Sequence, residues 1–178
     1  MKKIQKPAEG EYAPYARVYI DRVPDDGLVL QHLLDNMQLV KNLFISQSEE
    51  MLTTRCAEGE WTMKEILSHV VDTERIFAYR TLRFARNDAT ALPGFDQDDY
   101  VAASGANERS IEDLLGEYTA VRIATIALFN SLAEESFTRS GISNGYNVSV
   151  RSALYQIAGH ELHHVESIKE NYVTATDV

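Results

Sequence analysis

The sequence predicts an all-α protein built as a four-helix bundle. Apolar residues recur at helical spacing in four long segments, and turn-forming residues separate these segments. The sequence contains no convincing strand alternation, internal repeat or low-complexity tract. A chain of 178 residues with 44% hydrophobic residues has the size and composition of one ordinary domain. We therefore expect residues 1–178 to form a single bundle domain.

The first predicted elements are an N-terminal arm and a helix. Residues 1–23 contain two of the four prolines and a glycine, which predicts an extended arm ahead of a bundle that spans 24–173. The first helix is predicted over about 25–48. Pro24 suits the first helical turn, and the two aspartates that follow it suit the positive end of the helix dipole.

The second helix has the clearest start signal in the chain. Thr62 and Glu65 have the spacing of a capping box, in which each side chain accepts a hydrogen bond from an amide that the first turn leaves unpaired. The apolar face then continues to Phe84, and the helix is predicted to end near Arg86, before an Asn-Asp turn signal.

A long link follows the second helix. Residues 87–107 connect the second and third helices, and links of this length in compact domains often serve as functional lids. On this basis Phe95, Asp96 and Tyr100 are candidate pocket residues. The alternative is that the link is only a surface crossover.

Two further helices complete the predicted bundle. Ser110 offers a helix start, and the third helix is predicted over about 109–134. A turn-rich segment, Ser140–Asn147, precedes the fourth helix, which is predicted over about 149–172.

The charge of the chain limits its partners. The formal net charge is −10 and the sequence pI is near 4.9, which disfavours nucleic acid and anionic membranes as partners. No apolar stretch reaches the roughly 18 residues that a membrane span requires, and no secretory signal core follows Met1. The single cysteine, Cys56, has no internal disulfide partner and is interpreted as an inert residue. We expect a cytoplasmic protein.

Three of the five histidines lie close together in the last helix. At about 100° per residue, His160 and His164 are only about 40° apart around the helix, so both imidazoles can reach one ion. The same helical wheel places His163 on the solvent side. Two histidines at this spacing also occur by chance, as capping or solvated residues, and His32 and His163 are interpreted as structural or exposed.

His69 is the candidate third ligand. On the second helix it lies beside the apolar stripe, as His160 and His164 do on the fourth. Three neutral imidazoles suit zinc, nickel or another first-row divalent ion. Such a site keeps coordination positions open for water or substrate, as catalytic metal sites do.

Two charged residues are further candidates near this site. Glu161 faces the apolar stripe of the fourth helix and could accept a hydrogen bond from a ligand imidazole, or it could make a polar contact with a neighbouring helix. Arg80 lies on the same side of the second helix as His69, where it could meet an anionic substrate. The other charges that follow His69 are interpreted as a solvated face.

Three stretches of sequence resemble the DinB superfamily, in particular its branch of YfiT-like metal-dependent hydrolases and bacillithiol-type S-transferases. They are Gly59–Arg75, Phe77–Tyr100 and Gly159–His164. The resemblance implies a four-helix bundle with DinB-like topology, usually a homodimer. It also implies a nickel or zinc ion held by His69, His160 and His164, and for some members a low-molecular-weight thiol as co-substrate.

Two functional hypotheses follow. The first is a metal-dependent enzyme, either a thiol S-transferase or a hydrolase of small molecules, in which the ion activates a thiol or water. The alternative is a non-catalytic bundle that binds a metal or ligand. A fourth protein ligand, or the lack of a cleft beside the site, would favour that alternative. A DNA-binding role conflicts with the net charge of −10.

Overall fold

The computed structural model describes residues 2–173 and contains seven α-helices in this part of the chain. They are α1 (Arg17–Ile20), α2 (Val29–Ile45), α3 (Glu49–Thr53), α4 (Met63–Ala85), α5 (Gln97–Ala103), α6 (Ile111–Ser131) and α7 (Val150–Asn171). Short 3-10 helices lie at Pro14–Ala16, Ala106–Glu108 and Glu134–Thr138. A two-stranded sheet is formed by β1 (Ser140–Ser143) and β2 (Tyr146–Ser149). Among these elements, no helix is both long and apolar enough to cross a membrane.

The four long helices form the predicted four-helix bundle. Helix α4 packs against α6 and α7, and α2 packs against the same two helices. Helices α2 and α4 therefore lie at opposite corners of the bundle, as do α6 and α7. Two pairs of consecutive long helices, α2 with α4 and α6 with α7, are thus diagonal, whereas α4 and α6 are adjacent. The links within the two diagonal pairs are long enough to permit this arrangement. The prediction of an all-α four-helix bundle is confirmed.

Side-chain caps fix where the predicted helices begin. The capping box of α4 is present, with the Thr62 amide donating to Glu65 Oε2 at 2.8 Å and the Glu65 amide donating to Thr62 Oγ1 at 3.1 Å. The first long helix begins later than predicted, at Val29. The reason is a turn in which Asp26 Oδ1 accepts from the Leu28 amide at 2.8 Å and Gly27 takes a φ of +74°.

The N-terminal arm packs against the bundle, and the prediction of an extended arm is wrong for residues 14–20, which are helical. It contains α1 and a 3-10 helix, and α1 packs against α7. Glu11 fastens the arm, since its carboxylate accepts hydrogen bonds from Arg151 Nε and Ser149 Oγ, both at 2.7 Å. Partial burial raises the pKa of Glu11, but these hydrogen bonds outweigh it and lower the pKa to about 2.

The turn-rich segment before α7 is a β-hairpin, which the sequence did not predict. Ser143 pairs with Tyr146, so the loop consists of Asn144 and Gly145, both with positive φ. This is the Asn-Gly pair that favours a tight hairpin. Each strand has only four residues, too few for an alternating pattern to stand out.

The link between the second and third long helices carries its own structure. Helix α5 begins in it with Asp96 as the N-cap, whose Oδ1 accepts from the Asp98 amide at 2.9 Å. Before this helix, the amide of Leu92 donates to Ile142 O at 2.9 Å, which ties the link to the hairpin. The link is therefore an ordered segment.

A buried arginine joins all four long helices. Arg122 of α6 is 0% exposed, and its Nη1 donates to Leu33 O of α2 at 2.7 Å. Its Nη2 donates to Glu74 Oε2 of α4 at 2.9 Å, and its Nη1 donates to Glu161 Oε1 of α7 at 3.1 Å. Tyr118 Oη also donates to Glu161, at 2.6 Å. Burial alone would lower the pKa of Arg122, but the two carboxylates raise it well above its usual value.

This network divides the core into two apolar halves. On α6, Leu115 and Tyr118 belong to one apolar cluster, and Ile126 and Phe129 belong to the other. Arg122 lies between the two pairs, and its partners Glu74 and Glu161 occupy the equivalent level on α4 and α7. The bundle therefore has a polar layer at mid-height.

We predict that Arg122→Met destabilises the fold by about 3–5 kcal/mol, because it leaves the Glu74 and Glu161 carboxylates buried without their cation. The matched control is Arg109→Met, which removes a partly exposed arginine paired with Asp113 and Glu117 and should cost no more than about 1 kcal/mol. Urea unfolding measures both free energies. Equal losses in the two variants would show that the buried network is not the stabilising feature.

Candidate metal site

The structure brings His69, His160 and His164 together. His69 lies on α4, and the other two lie one turn apart on α7. The Nε2 atom of His160 is 3.0 Å from Nε2 of His69 and 3.1 Å from Nε2 of His164. One ligand atom from each ring lies within 4.8 Å of the other two. Three ring nitrogens therefore converge on one point.

The cluster is more deeply buried than the helical wheels predict. His69 and His160 are 4% and 8% exposed, and His164 is half-buried, whereas all three were expected at the edge of the core. Two aromatic residues cover them. The Trp61 ring is centred 4.8 Å from that of His69 and 6.5 Å from that of His164, and the Tyr19 ring is 5.3 Å from that of His160.

Gly159 allows Tyr19 to reach this position. A Cβ atom at residue 159 would lie 1.9 Å from the carbonyl oxygen of Tyr19, much closer than any real contact. The absence of a side chain thus lets α1 pack directly on α7, one residue before His160. A glycine inside a helix costs about 1 kcal/mol relative to alanine, and here close backbone packing explains it.

Burial keeps the three imidazoles neutral. It lowers the pKa of His69 to about 4 and, together with the neighbouring His69 and His163, it lowers the pKa of His164 to about 3. Burial also lowers the pKa of His160 well below its usual value, and the other two histidines of the cluster add to this effect. At neutral pH every ring therefore has a lone pair available for a metal.

These residues fit a divalent first-row ion. Ligand nitrogens at about 2.0 to 2.1 Å from a tetrahedral ion lie roughly 3 to 3.5 Å apart, and the two Nε2 separations that involve His160, 3.0 and 3.1 Å, fall in that range. The donors are neutral imidazoles, which suit zinc and nickel. Among residues 2–173 the cluster has three ligand residues, which would leave coordination positions open.

The cluster forms part of the wall of a cleft of about 380 Å³. His69 and His160 face this cleft, as do Phe95, Asp96 and Arg80 of the sequence-predicted residues. The other lining residues are Tyr15, Tyr19, Thr73, Phe77, Gly94, Gln97, Asp98, Asn144 and Gln156. A small molecule in the cleft would therefore lie against the candidate metal ligands.

A second cleft, of about 570 Å³, adjoins the other side of the cluster. His164 lines it together with His163, Trp61, Cys56 and Tyr172. The first two residues of α5, Gln97 and Asp98, line both clefts. The three histidines are therefore accessible from two sides.

Two sequence-predicted site residues lie elsewhere. Glu161 contacts Arg122 and Tyr118 of α6 rather than a ligand imidazole, so the alternative of a polar contact with a neighbouring helix is correct. Tyr100 is 46% exposed and does not line the first cleft, although its ring packs against Phe95 with centroids 5.1 Å apart.

The remaining histidines lie outside the cluster. His163 is half-buried, with its ring 5.5 Å from that of Tyr19, rather than facing solvent freely. His32 bonds to Asp26 Oδ2 at 3.0 Å, in line with a structural role. Cys56 is exposed.

Sequence reasoning missed several residues around the site. Tyr19 lies on a segment remote from the ligand helices. Trp61 lies two residues before α4, but helical spacing does not extend to it and so does not place it over His69. The burial of Arg122 and Glu74, in contrast, could be predicted from the sequence, because each residue occupies the apolar stripe of its own helix. Arg122 is four residues after Tyr118, and Glu74 is four residues after Val70. Glu74 was instead assigned to a solvated face, and its 2% exposure shows that assignment to be wrong.

The fold and the histidine cluster define a class: a four-helix bundle with a candidate metal centre at mid-height. Within this class the chain belongs to the DinB superfamily, whose family model matches residues 29–168. This confirms the family that the sequence motifs indicated.

The chain is also similar to bacterial proteins named as hydrolases. It is 30% identical over 130 residues to a putative metal-dependent hydrolase of Oceanobacillus iheyensis. The alignment covers 70% of this chain and 72% of that protein. A relative from Geobacillus thermodenitrificans with the same description is 25% identical over 125 residues, covering 68% and 69% of the two chains.

Two solved structures share the fold. YfiT from Bacillus subtilis, described as a probable metal-dependent hydrolase with an unusual four-helix bundle topology, superposes with a TM-score of 0.70 at 17% identity and covers 93% of this chain and 90% of its own. A mycothiol-dependent maleylpyruvate isomerase gives a TM-score of 0.68 at 10% identity, covering 88% of this chain and 63% of its own. At these identities the similarity shows the fold alone.

We predict that Gly159→Ala destabilises the protein by about 1–3 kcal/mol, because the new methyl group must displace the Tyr19 backbone from α7. The matched control is Gly116→Ala on α6, where an added Cβ meets no atom within 4 Å. That change should stabilise the helix by up to about 1 kcal/mol. Thermal unfolding of both variants measures the difference, and a neutral Gly159→Ala would contradict the close packing.

Proposed function

We propose that this chain is a metal-dependent enzyme acting on small molecules, with a divalent ion held by His69, His160 and His164. The observation that carries the proposal is the convergence of three neutral imidazoles, two buried and one half-buried, between two clefts. The description of two relatives as metal-dependent hydrolases supports it. Nickel and zinc are the ions that we expect.

Each nearby residue has a definable task in this proposal. A bound divalent ion would lower the pKa of a coordinated water or thiol and so supply a nucleophile near neutral pH. Trp61 and Tyr19 cover the imidazoles, restrict water and limit the rotation of the rings. The network around Glu161 holds the turn of α7 that carries His160. These contacts keep the ligand nitrogens in place before a substrate arrives.

Hydrolysis and thiol transfer are the two candidate reactions. Hydrolysis needs one organic substrate, which the first cleft can hold beside His69 and His160. Thiol transfer needs two, and the second cleft offers a separate approach on the His164 side. The presence of two clefts is the observation that favours a transferase using a low-molecular-weight thiol. Thiol transfer therefore stands next to hydrolysis as a candidate reaction.

The non-catalytic alternative has less support. A closed structural site would have a fourth protein ligand or no cleft beside it. Within residues 2–173 the cluster consists of three histidines, and clefts adjoin it on two sides.

We predict that His160→Ala abolishes both stoichiometric metal binding and activity, whereas His163→Ala keeps both. The two residues are three positions apart on α7, but only His160 contributes a nitrogen to the cluster. Metal content is measured by elemental analysis after dialysis. Activity is measured on the metal-loaded protein with ester and amide substrates, and with electrophiles in the presence of small thiols.

The comparison with His163→Ala serves as the control for general damage to α7. Equal losses in the two variants would contradict the assignment of ligands. A fully metal-loaded wild-type protein that is inactive with every substrate class would favour the non-catalytic alternative.

The homodimer implied by the family resemblance stays a prediction. We expect light scattering at micromolar concentration to give twice the chain mass of 20.1 kDa. A mass of one chain that does not change on concentration would reject the dimer.

A further inference from the structure

Arg80 is a buried cation at the wall of the first cleft. It is 6% exposed and lines the cleft beside Pro93 of the link after α4. Its Nη2 donates to the carbonyl oxygen of Pro93 at 2.7 Å, and its guanidinium carbon lies 5.5 Å from the centre of the Phe77 ring. None of the ion pairs within residues 2–173 includes Arg80.

A buried guanidinium without a carboxylate is unusual in this protein. Arg122, the other strongly buried arginine, has two carboxylate partners. A guanidinium has five N–H donors, and leaving such a cation away from water without an anion is costly. The cleft in front of Arg80 is the space in which an anion could compensate this cost.

Thr73 is a second polar side chain that lines the cleft. The hydroxyl oxygen of Thr73 is buried and makes no hydrogen bond within residues 2–173. Thr73 lies one turn after His69 on α4, and Gln156 lies one turn before His160 on α7, so both line the cleft next to the histidines. The Thr73 side chain therefore lines the cleft between the histidines and Arg80, although its hydroxyl oxygen itself is out of contact with solvent.

One stripe of α4 connects the histidine cluster with Arg80. His69, Thr73, Phe77 and Arg80 follow one another at steps of four, four and three residues, so they share a face of the helix. The Cα atoms of His69 and Arg80 are separated by about 16 Å along the helix axis, and side chains lean toward the N-terminus of their helix. The position of the Arg80 guanidinium over the ring of Phe77, three residues earlier on α4, agrees with this direction.

We propose that the substrate of the first cleft carries a carboxylate, and that Arg80 binds this carboxylate while the reacting group of the substrate lies against His69 and His160. This inference rests on the proposed function for the reacting end of the molecule. Thr73 and Gln156 contact the middle of the substrate, and Phe77 packs beside its carbon skeleton. Arg80 is a specificity-determining residue and does not take part in the bond changes.

The acidic residues of the cleft do not oppose this assignment. Asp96 and Asp98 are exposed, so their charges are solvated and screened by salt. Asp96 also accepts hydrogen bonds from the amides of Asp98 and Asp99 as the cap of α5. The charge buried inside the cleft is that of Arg80, and one guanidinium matches one carboxylate in charge and in planar geometry.

The test compares an acid with its uncharged amide. Phenylacetate and phenylacetamide are titrated by NMR at neutral pH into protein freed of metal, so that the result does not depend on the histidine site. We expect the wild type to bind the acid at least roughly tenfold more tightly than the amide. Arg80→Gln should reduce this preference to about one, whereas Arg80→Lys should retain part of it because the cation is kept.

Arg83→Gln is the matched control. Arg83 lies three residues further along α4, pairs with Asp88 and does not line the cleft, so the variant should keep the preference of the wild type. Equal affinities for acid and amide in the wild type, or a preference that survives Arg80→Gln, would overturn the proposal. An acid preference that depends on Arg80 in a protein whose metal-loaded form is inactive would support the carboxylate site and reject the proposed enzyme.

Discussion

The arrangement of the bundle depends on the hydrogen bonds and ion pairs made by the guanidinium of Arg122. It bonds to groups on α2, α4 and α7 from its own position on α6, so four helices meet at one cation. An ion network that is removed from water stabilises a fold only when its hydrogen bonds are satisfied, and here both carboxylates and a main-chain carbonyl are engaged. These hydrogen bonds fix the positions of the four helices along the bundle axis, because each helix must place its bonded group at the level of Arg122.

That level is also where the candidate site lies. Glu161 binds Arg122, and the adjacent residue, His160, carries the central nitrogen of the histidine cluster. The polar layer therefore holds the helical turn that presents the candidate metal ligands, and apolar clusters pack above and below it. The same burial that makes the layer costly keeps the histidines neutral and available as donors.

Part of the wall of the site comes from segments outside the bundle helices. Tyr19 lies in the N-terminal arm, before the residues 29–168 that match the DinB family model, and it reaches the cluster because residue 159 has no side chain. The link after α4 supplies Phe95 and Asp96 to the first cleft. The ligand set thus belongs to the bundle, and the segments around it shape the space in which a substrate would bind.

The sequence by itself determined the features that depend on local spacing. These are the four long helices, the capping box at Thr62, and the placement of His160 and His164 on one side of α7. Tertiary structure decided the diagonal topology, the burial of the histidines by Trp61 and Tyr19, and the partners of Arg122. The physical reason is that a helical period records which residues share a face, whereas contacts between residues as distant as Glu74 and Arg122 form only when the helices pack.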